Sequence, residues 1–158
     1  MFKWLAKRKD EDGVASDMAR ARALLPILRL RLDKEGSAAA RAYGRGVTEV
    51  ADALARALGL AEVEVMSAEN LASDQLIAAF RDIAAAEERC REYLDSDSER
   101  ARQGAANLSF GCQIFLHLYR MRLHERTAPE EQRGEARAIA DTFANLARVL
   151  KQIGATPP

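Results

Sequence analysis

Apolar residues recur every three or four positions along most of this chain, and that spacing predicts helices. Met18, Ala21, Leu25, Leu28 and Leu32 mark a first helix over about 17–33, with Ser16 as its N-cap. Pro26 removes a backbone donor inside it, so a kink or break is expected near Leu25. Gly36 and Ser37 mark a stop and a restart. Tyr43, Val47, Val50, Leu54 and Leu58 define a second helix over 37–58. Gly44 and Gly46 weaken its first half, which moves its firm part toward Thr48. Gly59 is placed for a left-handed C-terminal cap.

Residues 61–66 alternate briefly, with Val63 and Val65 on one side, and read as an extended linker. Leu76, Phe80, Ile83, Cys90 and Leu94 predict a third helix over about 68–94, capped by Ser67 or Ser73. Ser96 and Glu99 have capping-box spacing and open a fourth helix that runs to about Glu125. Two apolar stripes, one through Ala105, Leu108, Cys112, Phe115 and Tyr119 and one through Ile114, Leu118 and Met121, give it neighbours on several sides. Thr127 and Glu130 repeat the capping-box spacing before a fifth helix that reaches Ile153, where Gly154 ends it. Short turns near 95–97 and 126–128 force antiparallel neighbours. The expected fold is all-α: an up-and-down antiparallel bundle of four to five helices. It divides into a flexible basic/acidic head over 1–15, one bundle domain over 16–154 and a short tail over 155–158.

The composition fits that picture. The 158 residues are enough for one domain with a sizeable core, and alanine, leucine, arginine and glutamate favour helix. The bias toward alanine and arginine suggests a bacterial source. Basic and acidic residues both number 24, which argues against a chain built to neutralise nucleic-acid backbone, so no nucleic-acid partner is expected. No apolar run approaches the roughly 20 residues that cross a bilayer. With two cysteines and no secretory signal, a cytoplasmic protein with reduced thiols is expected. The charge is unevenly spread. Residues 61–100 hold eleven acidic and four basic residues, while 1–9 carry four cations and no acid. That excess serves either helix ordering inside the molecule or a basic partner.

Catalytic signatures are missing. There is no phosphate-binding glycine loop, nucleophile elbow or H-E-x-x-H. Residues 95–99 begin like a calcium loop, but Arg100 stands where glycine is needed. No cofactor and no metal are expected. The candidate chemistry lies on the fourth helix, where Gln113, His117, Arg120 and His124 form one line between the apolar stripes. The line is either a solvent seam or a site, in which an anion beside Arg120 with help from His117 would bind more strongly as pH falls through about 6.5. In the head, Phe2 and Trp4 beside Lys7 and Arg8 suit an anionic membrane surface or a partner. The expected function is a non-catalytic bundle acting through protein–protein contact, with homo-oligomerisation possible and peripheral membrane contact through 1–9. Alternatives are a histidine phosphotransfer-like module centred on His117 and a bundle that binds a small molecule or lipid.

Overall fold

A computed structural model describes residues 2–157, with side chains from Gly13 onward. Five helices follow in order: α1 (Phe2–Leu58), α2 (Glu62–Ser67), α3 (Ser73–Tyr93), α4 (Glu99–Thr127) and α5 (Glu130–Ala155). No strand occurs among the described residues, and the all-α bundle is as expected. α4 is its centre, packing against α1, α3 and α5. Its Ile114, Phe115, Leu118, Tyr119 and Met121 are fully buried. The two apolar stripes thus have the several neighbours that their width requires.

α1 contains the first two expected helices. The helical backbone runs from Phe2 without a stop at Asp10–Gly13 or a cap at Ser16, and Val14 is already buried. The backbone stays helical through Pro26, where a kink or break was expected near Leu25, and the stop expected at Gly36 is present, its φ of 83° and ψ of −176° non-helical. A left-handed φ is cheap only for glycine. The chain must bend there. Asp17 meets α4 at 120 and 124, and Gly46 meets it at 107 and 111. A straight helix would put Asp17 and Gly46 about 43 Å apart, while those partners are about 20 Å apart along α4. We call 13–35 the arm and 37–58 the crossing segment. Tyr43 staples them, donating to the Glu35 carboxylate at 2.6 Å while its ring stacks on Phe110 at 4.3 Å.

The glycines of the crossing segment do more than weaken a helix. A Cβ on Gly46 would strike the Asn107 carbonyl oxygen, and one on Gly111 would lie 2.7 Å from the Gly46 oxygen. Gly44 and Gly154 face each other in the same way: a Cβ on Gly154 would lie 2.6 Å from the Gly44 carbonyl carbon. The crossing segment therefore meets α4 and α5 backbone to backbone. Gly154 is a packing residue inside α5, which continues to Ala155.

Helix ends differ from expectation in detail. Gly59 does adopt the left-handed cap, at φ 65°. Residues 62–67 form a turn and a half of helix, with Val65 buried and Val63 70% exposed, so two alternating valines did not mean extended chain. The cap of α4 is Ser98, which accepts from the Ala101 N–H at 3.3 Å; Ser96 instead accepts from the Ser98 N–H. Thr127 belongs to the last turn of α4, donating to the Leu123 carbonyl, and Pro129 precedes α5 without a side-chain cap.

Candidate functional site

Of the line of four polar residues, Arg120 and His124 lie against the arm. Asp17 of the arm draws two of them together: its carboxylate is 2.9 Å from His124 Nε2 and 3.7 Å from the Arg120 guanidinium. Arg120 also lies over the Phe80 ring at 4.6 Å, which joins the arm to α3. His117 stacks on Phe143 of α5 at 5.4 Å, and its Nδ1 is buried without a hydrogen-bond partner among the described residues. Burial first, and then the nearby Arg120 charge, push its pKa down to about 4. The charge that His117 was expected to gain near pH 6.5 is therefore gained only near pH 4. Gln113 is half-buried and joins no side-chain hydrogen bond among the described residues. Arg120 is the residue with the charge for an anion, and Asp17 already meets it.

One charged residue of α4 escaped sequence reasoning. Arg122 is 2% exposed. Its Nε donates to the Ser67 carbonyl at 2.6 Å, and its terminal nitrogens reach Asp141 at 2.7 Å and Glu125 at 3.1 Å, with Glu69 at 3.7 Å. Three carboxylates around one planar guanidinium tie α4 to α5 and to the end of α2. Arg126 reinforces the junction by donating to the Ala68 and Glu69 carbonyls. The signal was available: Arg122 sits three residues after Tyr119, on an apolar stripe. A cation there calls for buried acceptors.

The concave surface lies elsewhere. α1 and α3 both pack on α4 with little contact between themselves, which leaves a groove of about 430 Å³. Its walls are Val50, Ala53, Leu54 and Ala57 on one side and Ala79 and Ile83 on the other. Leu108 and Cys112 of α4 form the floor, and Glu49, Asp82 and Arg89 stand among its lining residues. Cys112 and Cys90 are both free, buried thiols. Burial, with the neighbouring Cys90 and Glu87, holds the Cys112 thiol up at about 12, so it is inert as a nucleophile near neutral pH. A larger depression of about 860 Å³, between the start of the crossing segment and the start of α4, is an open trough. Arg45, Arg100, Glu35 and Glu99 line it, a mixture of signs that singles out no ligand.

The acidic stretch finds few internal partners. Glu62 pairs with Lys151, Glu69 with Arg122, and Glu87 with Arg91. Asp82, Glu88, Glu92, Asp95, Asp97 and Glu99 are exposed and form no ion pair among the described residues. Tyr93 and Leu94 stand exposed among them, Tyr93 by 57%. The side chains of Phe2, Trp4, Lys7 and Arg8 lie outside the described residues. No described helix is long and apolar enough to cross a membrane, and no group of three metal-ligating side chains occurs among the described residues. Comparison with protein-family models, with curated proteins and with solved structures finds no match.

Proposed function

We propose that this chain is a non-catalytic helical adaptor that works by protein–protein contact, receiving apolar side chains of a partner in the groove between α1 and α3. The observation that carries this reading is the groove itself. It is an open slot with helices on both sides and aliphatic walls, and its Glu49 and Asp82 form no ion pair among the described residues. Helical partners use such slots by inserting side chains spaced at i, i+3 or i+4 and i+7. The phosphotransfer alternative asks for an accessible imidazole, whereas His117 is half-buried against Phe143. The small-molecule alternative keeps some support, because 430 Å³ falls in the range of ligand pockets.

Selection of short helical peptides displayed against the full chain tests the reading. Ala53 and Ala78 line the groove and are themselves exposed, so Ala53→Trp or Ala78→Trp fills the slot without disturbing the core. Selected peptides should bind the natural chain and lose at least tenfold affinity, about 1.4 kcal/mol, for either variant. Peptides that bind both variants unchanged would place the contact surface elsewhere and refute the groove.

A further inference from the structure

We infer that the groove receives the outer face of the arm from a second copy of this chain, an inference that rests on the groove being a docking surface. The arm buries Met18, Ala21 and Leu28, and its opposite side is not bare of apolar groups. Ile27 and Leu30 are 55% and 54% exposed. With Ala23 they stand at i, i+4 and i+7, so they form one ridge. Arg20, Arg31 and Lys34 are seven residues before, four after and seven after Ile27, which puts all three beside that ridge. All three are exposed, and among the described residues only Arg31 joins an ion pair, with Glu35 at 3.9 Å.

Ridge and groove complement each other on three counts. Both are apolar along their middles. The ridge from Ala23 to Leu30 spans about 10 Å, and so does the groove wall from Val50 to Ala57. The ridge has cations beside it, while the groove has Glu49 and Asp82 against the single cation Arg89, with further carboxylates along α3 that form no ion pair among the described residues. Such opposed charge steers association and fixes register. The ridge cannot fill the groove of its own chain, because the arm is held against α4 at 120–124 and α5 at Glu135. A second copy supplies it.

Sedimentation equilibrium of the full chain tests this, with three variants. The natural chain should exceed its 17.4 kDa monomer mass at tens of micromolar in low salt and dissociate as salt rises. Ile27→Asp with Leu30→Asp should leave a monomer with an unchanged helical spectrum, since both positions face outward. Arg20→Glu with Arg31→Glu and Lys34→Glu should weaken association at least tenfold, and so should Glu49→Arg with Asp82→Arg. An equimolar mixture of those two charge-reversed variants should associate again, because the reversed ridge now matches the reversed groove. A natural chain that stays monomeric throughout overturns the inference, as does association that survives the ridge variant or a mixture that fails to associate. Groove-directed peptides that bind a strictly monomeric chain would leave the adaptor reading standing and remove only the second copy as its occupant. A monomer whose Ile27 and Leu30 are needed for binding phosphatidylserine vesicles would also overturn it, in favour of a lipid surface.

Discussion

The two halves of α4 are held to the rest of the molecule by opposite means. Around Asn107 and Gly111 the contact is backbone against backbone, made by removing side chains. Around Arg120, Arg122 and Arg126 it is made by long cations that reach into α1, α2, α3 and α5. The first half depends on shape, so it fails when an atom is added. The second depends on charge, so it fails when a partner is removed or a proton is added.

The largest effect is expected at the charged half. Arg122→Ala empties the space of a fully buried side chain and removes the donor of the Ser67 carbonyl, and should cost about 3 kcal/mol in urea unfolding. Arg122→Lys should recover little of that, because an ammonium cannot span the same acceptors. A loss below about 1 kcal/mol for the alanine variant would show that the clamp is dispensable.

At the other half, Gly46→Ala should cost about 2 kcal/mol, since its Cβ meets the Asn107 carbonyl rather than a flexible side chain. That cost should be the same in low and high salt. An innocuous Gly46→Ala would mean that α1 can move away from α4 freely.

His117 gives a pH test of the charged half. Its folded pKa, about 4, lies below its ordinary value near 6.5. The unfolded chain therefore takes up this proton first as pH falls, and stability is lost between about 6.5 and 4. The loss should approach roughly 3 kcal/mol at pH 4. His117→Gln should be less sensitive than the natural chain over that window. Equal slopes for the two proteins would show that the ring titrates as if exposed.

The smallest effect sharpens the contrast by changing sign. Gly104 lies in α4, and a Cβ there would meet nothing within 4 Å. Gly104→Ala should therefore add about 0.5–1 kcal/mol through helix propensity alone. A thermal midpoint that rises for Gly104→Ala and falls for Gly46→Ala separates a free glycine from a contact glycine within one pair of helices.

That pair also explains how far the sequence could be read. Local signals were legible: the periodic cores of α3, α4 and α5, the stop at Gly36 and the cap at Gly59 all act within a turn of their own position. Gly44 and Gly46 were misjudged because propensity describes a helix alone, whereas their value lies in the backbones of α4 and α5. The line through Gln113, His117, Arg120 and His124 was legible as a line. What covers it was not, since Asp17 is 107 residues from His124 in the chain. Ser96 and Thr127 had capping-box spacing, yet the cap of α4 lies at Ser98 and Thr127 closes α4, because boundary signals compete within a few residues. The groove left no trace in any one segment, because it exists only where α1 and α3 fail to meet.

The bend at Gly36 bears on the order in which the chain assembles. Ties between α4 and its sequence neighbours are short-range, 22 residues for Glu87 with Ser109 and 19 for Arg122 with Asp141. Those of the arm span 107 and 113 residues, to His124 and Glu135. Closing long loops costs more entropy than closing hairpins. The α3–α4–α5 hairpins should therefore form first, with the arm swinging in about Gly36 as the last element to dock and the first to leave. In native-state hydrogen exchange, amides of 14–35 should then open at lower free energy than those of 110–121.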